Sequence, residues 1–136
     1  MTLFLAAIIL FGPDYHGVPK GLAKSIEHHE SRGNIFAKSH AGAVGLMQVM
    51  PRFRDKRIPR KALWIPFVNI HEGTRILSRW KRRSKNWRQA LMAYNAGNIG
   101  LRNESSRARH YANSVLRRWK RKDPRGYRLA ISKEAL

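Results

Sequence analysis

Apolar side chains recur at helical spacing along this chain, and no segment of useful length alternates between apolar and polar residues. Leu22 and Ile26 share one face of a predicted helix, and Tyr111, Val115 and Trp119 share a face later on. No stretch has the density of β-branched residues that is typical of a strand. The sequence therefore predicts an all-α fold of about five or six helices, and 136 residues suffice for a single domain with an ordinary core.

The chain begins with an apolar segment, Thr2–Phe11, that ends at Gly12-Pro13. It is too short to span a membrane, since a spanning helix needs about 20 residues. No basic side chain precedes it and no A-x-A-like cleavage site follows it. We interpret residues 1–12 as a first helix packed on the core, with a short export or membrane-anchoring signal as the alternative.

Asparagine and glycine residues mark the predicted ends of the middle helices. Apolar residues 43–50 predict a short helical turn. Asn69 is placed to cap a helix over residues 70–83, and Asn86 to cap the next one, because asparagine is a favoured N-cap residue. Gly97 is expected to end that second helix.

The last regular helical pattern covers residues 109–122 and is broken by Asp123-Pro124. There is no internal repeat and no low-complexity linker. We therefore assign residues 18–122 to one globular domain and expect residues 123–136 to form a frayed basic tail.

The charge of the chain is strongly positive, because 28 Lys and Arg residues face only 8 Asp and Glu, for a formal net charge of +20. Such a charge indicates a polyanionic partner, such as nucleic acid, an anionic bilayer or a bacterial wall. The absence of Cys excludes disulfides, Cys-ligated zinc and thiol nucleophiles. Any carboxylate chemistry must use one of these acids: Asp14, Glu27, Glu30, Asp55, Glu72, Glu104, Asp123 and Glu134.

Glu30 stands near the end of a helix with an apolar face, before a Gly33-Asn34 break. A carboxyl group on an apolar face near a cleft edge is costly to ionise, so we expect the pKa of Glu30 to be raised. A raised pKa suits a general acid that works near neutral pH. Position alone is weak support, because a glutamate at a helix end is usually a solvated surface residue.

A series of short motifs surrounds Glu30 and continues along the chain. They are Glu30-Ser31, A-x-S-x-x-G-A-x-G-L-M-Q-x-M-P over residues 37–51, Asn69 with Gly73, A-Y-N-A-G over residues 93–97, and a final helix marked by Tyr111 and Val115. In this order and spacing the series resembles the soluble lytic transglycosylase family of peptidoglycan-cleaving enzymes, relatives of goose-type lysozyme. The resemblance covers residues 21–119.

The chain departs from the family pattern in two loops. Gly33 and Ile35 stand where the family usually has an aromatic residue and a proline, and Asn98-Ile99-Gly100 replaces a Pro-Gly after the A-Y-N-A-G motif. These positions shape loops, so the departures bear on substrate contacts at that rim more than on catalysis.

The resemblance implies a lysozyme-like helical domain around a glycan-binding groove, with Glu30 as the single general acid and base. Glu30 would protonate the oxygen of the β-1,4 bond between N-acetylmuramic acid and N-acetylglucosamine. It would then deprotonate the muramyl 6-hydroxyl as that group attacks the anomeric carbon, helped by the substrate's own N-acetyl group. The product would carry a 1,6-anhydromuramyl end, no water would be consumed, and no cofactor would be needed.

Residues of the same motifs are predicted to support Glu30 or to contact substrate. Ser39 would orient Glu30 through a hydrogen bond. Asn69 could face the cleft or only cap its helix, and Met47 could line a sugar subsite or belong to the core. The predicted substrate-binding residues are Ser39, Met47, Gln48, Met50, Asn69, Tyr94 and Asn95.

A hydrolytic goose-type lysozyme is the alternative activity. Glycoside hydrolysis normally takes two carboxylates, one on each side of the scissile bond. Glu27, Asp55 and Glu72 are the candidates for a second carboxylate, and none has a local setting that marks it for that role. Asp55 is the best candidate if the enzyme hydrolyses.

A nucleic-acid-binding protein is the alternative from another functional class, because aromatic residues among cations can stack on bases. Helical spacing instead favours tryptophans on the buried faces of amphipathic helices, and no zinc-finger, RRM or KH signature is present. The aromatic residues concerned, within basic clusters 52–61, 79–88 and 117–128, are Phe53, Trp80, Trp87, Trp119 and Tyr127.

A zinc protease would need H-E-x-x-H, and the second His is missing after His29-Glu30. We expect no metal site. The expected partner is a peptidoglycan glycan strand, met by a monomer on the bacterial wall, at its periplasmic or extracellular face. Anionic wall polymers or lipid would attract the cationic chain, and nucleic acid is not expected as the main partner. A small cationic wall enzyme resembles a bacteriophage lysin, with a bacterial wall-remodelling enzyme as the alternative.

Overall fold

The computed structural model describes residues 1–135, and within this range it holds six α-helices and no β-strand. The all-α prediction is therefore confirmed. Two short 3₁₀ turns, Pro51–Phe53 and Arg60–Trp64, lie between the second and third helices. The helices are α1 (Leu3–Phe11), α2 (Lys20–Ser31), α3 (Pro66–Arg82), α4 (Trp87–Leu101), α5 (Ser106–Lys122) and α6 (Pro124–Glu134).

The described residues fall into two compact units. The first comprises Met1–His16 and Ile26–Arg75, and the second comprises Gly17–Ser25 and the chain from Ile76 onward. Each unit has its own set of fully buried apolar side chains. In the first unit these include Ile26, Met47, Val49, Ile58, Leu63 and Val68, and in the second Leu22, Leu77, Leu91, Val115 and Trp119.

Helix α1 forms from the apolar N-terminal segment, and the Thr2 hydroxyl caps it by accepting the Leu5 N–H at 3.1 Å. Leu5 and Ile8 are buried, whereas Leu3 and Phe11 are largely exposed. Within residues 1–135 no helix combines the length and the apolar character that crossing a bilayer requires.

The predicted helical turn over residues 43–50 is wrong. The chain there makes a tight reversal in which Val44 pairs with Val49 in an isolated antiparallel bridge. Gly45 and Gln48 adopt left-handed φ angles of 77° and 51°, which an α-helix cannot contain. The predicted helix start at Asn69 is also wrong, because α3 already begins at Pro66, a residue that the first turn of a helix favours.

The predicted boundaries of α4 are confirmed by its hydrogen bonds and backbone angles. The Asn86 side chain accepts the Gln89 N–H at 2.8 Å and caps the helix. Gly97 has φ 62° and ψ −141°, so the regular helix breaks there before the chain resumes a helical path to Leu101. A side chain at Gly100 would collide with the Met92 carbonyl, so this bend also requires glycine.

The predicted frayed tail is instead helix α6, although residue 136 lies outside the described residues. Asp123 connects α5 to α6 through both carboxylate oxygens. Its Oδ1 accepts the Gly126 N–H at 3.0 Å, and its Oδ2 accepts the Trp119 Nε1–H at 3.3 Å. Tyr127 then packs edge-on against Trp119, with ring centroids 5.3 Å apart. Capping and aromatic packing together order a segment whose composition alone predicts fraying.

We expect Trp119→Ala to lower the free energy of unfolding by about 3–5 kcal/mol, because it removes a fully buried indole and the cap partner of Asp123. Chemical denaturation measures the change. Leu129→Ala is the control: Leu129 is 60% exposed, and its truncation should change stability by less than about 0.5 kcal/mol. Equal stabilities of the two variants would contradict this account of the second core.

Candidate active site

Glu30 lies in the last turn of α2 and is partly buried. The next residue, Ser31, helps to close the helix, because its hydroxyl donates to the Glu27 carbonyl at 2.9 Å and accepts the Gly33 N–H at 3.2 Å. Arg32 and Gly33 then adopt left-handed φ angles of 52° and 79°, which turn the chain away from the helix axis. The Glu-Ser pair and the break after it thus fix a carboxylate at a helix end.

Ser39 and Gln48 organise the loop that follows α2. The Ser39 hydroxyl accepts the Ala43 N–H at 3.0 Å, which leaves its own proton to donate. The Gln48 side-chain nitrogen donates to the Ala37 and Gly45 carbonyls at 3.2 and 3.1 Å. These bonds hold the loop in a closed conformation. Because they use the side-chain nitrogen of Gln48, its side-chain oxygen is the atom that Gln48 can offer to a ligand.

Asn69 connects this loop to α3, because both the oxygen and the nitrogen of its side-chain amide form hydrogen bonds. Its Oδ1 accepts the Met47 N–H at 2.8 Å, and its Nδ2 donates to the Val44 and Leu63 carbonyls at 2.8 and 2.9 Å. Asn69 is only 1% exposed. It therefore does not cap its helix but holds the loop in place, and its contact with substrate stays a prediction.

The Met47 side chain packs directly against Gly73. Gly73 lies on α3, one helical turn after Asn69. A β-carbon at Gly73 would lie 2.6 Å from the Met47 sulfur, so only glycine leaves room for this side chain. Met47 is 0% exposed, and its contact with a sugar stays a prediction. The two residues of the Asn-x-x-x-Gly motif thus lie on one face of α3 and hold the Gly-Leu-Met-Gln turn. Asn69 does so through hydrogen bonds, and Gly73 leaves the space that the Met47 side chain fills.

Met50 and the A-Y-N-A-G residues differ in their exposure. Met50 is partly exposed and borders a cavity of the first unit, as a residue of a subsite would. Tyr94 is partly buried and Asn95 is exposed on α4 of the second unit, just before the Gly97 break. The roles of these three residues toward substrate stay predictions.

Two of the three candidates for a second carboxylate, Asp55 and Glu72, hold structural positions. Glu72 is fully buried, where Arg75 binds it with Nε at 2.9 Å from Oε2, and it also accepts the Asp55 backbone N–H. Asp55 is bound through both oxygens by Arg57, with a closest separation of 2.7 Å. The hydrogen bonds from Arg57 lower the pKa of Asp55 to about 2. Both carboxylates are therefore engaged by arginines, and the lowered pKa makes Asp55 a poor proton acceptor.

Two tryptophans of the basic clusters lie in the interior of the protein. Trp87 and Trp119 are 8% and 0% exposed, so they are unavailable for stacking on bases. This confirms their interpretation as core residues of amphipathic helices.

A basic cavity in the first unit is not apparent from the sequence. Its volume is about 420 Å³, and Trp64 contributes to its wall. The chain from Arg52 to Lys61 predicts only an irregular basic connection, since the side chains that meet across a loop cannot be read from their order. The cavity is lined by Lys38, Ala41, Gly42, Val44, Met50, Pro51, Arg52, Arg60, Lys61 and Trp64.

Comparisons with known proteins place these motifs in a family. The sequence profile of the Transglycosylase SLT domain matches residues 12–116. Membrane-bound lytic murein transglycosylase E of Buchnera aphidicola subsp. Acyrthosiphon pisum (strain APS) is 35% identical over an alignment 81 residues long, and the match covers 52% of this chain and 37% of that protein.

The fold also has a counterpart among solved structures. The crystal structure of the 70 kDa soluble lytic transglycosylase from Escherichia coli superposes with a TM-score of 0.66 and 26% sequence identity. The match covers 94% of this chain and 24% of the Escherichia coli protein. The chain thus spans well under half the length of either relative.

We expect Asn69→Asp to destabilise the protein by about 3 kcal/mol or more, because an acceptor would replace the donor that faces the Val44 and Leu63 carbonyls. Denaturation measures the loss, and hydrogen exchange of the Met47 amide reports on the turn itself. The control is Asn95→Asp at an exposed position, which should cost less than about 0.5 kcal/mol. Unchanged protection of the Met47 amide would contradict the role of Asn69.

The Asp55–Arg57 pair gives stability a defined dependence on pH. The pKa of Asp55 falls from its ordinary 3.8 to about 2 in the folded protein, so the pair stabilises the fold above the ordinary value and ceases to do so as pH drops toward 2. NMR titration of the Asp55 carboxyl should give a midpoint near 2, and Arg57→Gln should return it toward 3.8. An identical midpoint in both proteins would show that Arg57 is not the cause.

Proposed function

Because the chain belongs to the Transglycosylase SLT domain family, we propose that it is a peptidoglycan lytic transglycosylase. It cleaves the β-1,4 bond between N-acetylmuramic acid and N-acetylglucosamine and leaves a 1,6-anhydromuramyl end. The match over residues 12–116 supports this activity, and both relatives are lytic transglycosylases by name. We assign catalysis to a domain over residues 18–122, with residues 1–12 and 123–136 flanking it.

Glu30 carries out both proton transfers of the reaction. In its protonated form it gives a proton to the oxygen of the scissile bond, and the N-acetylglucosamine leaves as an alcohol. The resulting carboxylate then takes the proton from the muramyl 6-hydroxyl, whose oxygen forms the new bond to the anomeric carbon. Glu30 ends protonated, as it began, so one carboxyl group suffices for the full cycle.

The arginine pairs at Asp55 and Glu72 are the observation that favours this reaction over hydrolysis. A hydrolase normally uses a second carboxylate to activate water or to attack the sugar. Asp55, with its pKa near 2, is too weak a base, and Glu72 is fully buried against Arg75. An attack by the substrate's own 6-hydroxyl avoids this requirement.

The remaining motif residues support Glu30 and the glycan. Ser39 has a hydroxyl proton with which to orient the Glu30 carboxylate. Gln48 offers its side-chain oxygen, while Met50 presents an apolar surface to a sugar ring. Tyr94 and Asn95, which precede the break at Gly97, contact the glycan.

The proposed working place is the bacterial wall, at its periplasmic or extracellular face. The net charge of +20 draws the enzyme, as a monomer, to anionic wall polymers or lipid, while the glycan bond itself is uncharged. A phage lysin and a bacterial remodelling enzyme would use the same chemistry, and both relatives named above come from bacteria.

We expect Glu30→Gln to lower the rate of glycan cleavage by at least about 100-fold, because an amide can neither give nor take the required proton. The measurement is the release of anhydromuramyl fragments from purified peptidoglycan, followed by mass spectrometry. Glu27→Gln is the matched control, since it makes the same change one helical turn earlier on α2 and should leave the rate within about twofold.

Equal activity of Glu30→Gln and the unaltered protein would remove Glu30 from its role. Products with reducing ends in place of anhydro ends would turn the assignment to a goose-type lysozyme. Strong, salt-dependent DNA binding without any wall cleavage would favour the nucleic-acid alternative.

A further inference from the structure

A second cavity lies within the second unit, between α6 and the segment that joins α3 to α4. Its volume is about 540 Å³, within the range of about 300–1,000 Å³ that is usual for small-ligand sites. One face of α6 forms a wall of this α6 cavity, with residues that recur at helical spacing: Gly126, Leu129, Ala130 and Lys133.

Helix α6 is held beside this cavity by contacts at both of its ends. At its start, the Asp123 carboxylate accepts the Gly126 N–H at 3.0 Å. At its end, Glu134 Oε1 accepts the backbone N–H of Trp87, the first residue of α4, at 2.6 Å. The family match ends at residue 116, before α6 begins. The α6 cavity therefore depends on a helix outside the matched domain.

Three lysines line the α6 cavity. Lys81 lies in the last turn of α3, Lys85 follows that helix, and Lys133 lies in the last turn of α6. Within residues 1–135, no carboxylate lies within ion-pair distance of any of the three. Because lysine ammonium groups bind phosphate as compact point charges, lysines without acidic partners around a concave surface attract a phosphate group.

The α6 cavity also has an apolar part, to which Trp87, Leu129 and Ala130 contribute. Trp87 is 8% exposed and Lys81 Nζ lies 5.1 Å from the centroid of its ring, so too little of the indole is free to stack on a nucleotide base. Leu129 is 60% exposed, and a bare phosphate would leave it in water. A phosphate that carries aliphatic chains uses both the lysines and this leucine.

We propose that the α6 cavity binds the phosphodiester headgroup of an anionic phospholipid. Lys85 and Lys133 contact the phosphate, and Leu129 contacts the first carbons of the acyl chains. The lysines account for a preference for anionic lipid, and Leu129 accounts for a preference for lipid over a soluble phosphate polymer. The inference goes beyond the cleavage reaction, because neither the glycan nor Glu30 takes part in this binding.

Binding to lipid vesicles tests the proposal without peptidoglycan, so its outcome does not depend on the cleavage activity. The unaltered protein should co-sediment with vesicles that contain phosphatidylglycerol and phosphatidylcholine more than with vesicles of phosphatidylcholine alone. The double variant K85Q/K133Q should weaken this binding by about tenfold or more, because a lysine close to an anionic bilayer contributes roughly fivefold.

K24Q/K122Q is the matched control. It removes two exposed lysines of the second unit that lie outside the cavity, so it changes the net charge by the same amount. Its vesicle binding should fall by less than about threefold, because salt screens exposed charges that do not touch the lipid.

Leu129→Ala tests the apolar contact at a position whose exposure lets the fold tolerate the change. It should weaken binding to the vesicles by about three- to fivefold, because less apolar surface enters the bilayer, and should leave binding to soluble polyglycerol phosphate unchanged. In NMR spectra, dihexanoyl phosphatidylglycerol should shift the amide signals of Leu129 and Lys133, and K85Q/K133Q should abolish the shift at Leu129.

Equal losses in K85Q/K133Q and K24Q/K122Q would overturn the assignment, because binding would then follow the overall charge. Tighter binding of polyglycerol phosphate than of dihexanoyl phosphatidylglycerol, with no effect of Leu129→Ala on the vesicles, would also overturn it and identify a site for soluble phosphate polymers. Circular dichroism checks the fold of each variant. Lys85→Gln alone, at an exposed position between α3 and α4, provides an independent variant.

Discussion

The three hydrogen bonds of the Asn69 amide hold together the loop that carries several of the predicted site residues. They connect α3 to the Gly-Leu-Met-Gln turn, and at 1% exposure none of them can be exchanged for a bond to water. Gly45 must be glycine because a side chain there would strike this amide, and Gly73 because Met47 fills the space above it. This turn also positions Gln48. The side-chain nitrogen of Gln48 donates to the Ala37 and Gly45 carbonyls and so closes the loop that begins after Glu30.

A strongly cationic chain uses its few acids mainly for structure. Glu72 and Asp55 are bound by arginines, and Asp123 caps α6 while it accepts the Trp119 indole N–H. Glu134 accepts the Trp87 backbone N–H at 2.6 Å. With these carboxylates engaged, a reaction that needs a single acid fits this protein better than one that needs a pair. The excess positive charge lies at the surface, and four of the exposed cations line the cavity beside Trp64.

Local signals in the sequence predicted local structure well. The cap at Asn86 and the break at Gly97 follow from one residue and its immediate neighbours, and both are present. Asn69 was misassigned because a buried amide and an N-cap have the same sequence signature, and only the partners distant in sequence distinguish them. The predicted frayed tail failed for a similar reason, since the contact between Trp119 and Tyr127 that orders α6 joins two helices. The position of Glu30 came from its motif, because a lone glutamate at a helix end carries little information.

In the proposed reaction one carboxyl group performs the cleavage and the substrate supplies the nucleophile. The most direct measurement runs the reaction in water labelled with oxygen-18, reduces the products with borohydride at once and examines the new muramyl ends by mass spectrometry. The account predicts ends that carry no label and resist reduction, because the 6-hydroxyl oxygen has closed the anhydro ring. Labelled, reducible ends would show that water attacks the anomeric carbon, and would contradict the one-carboxylate reaction.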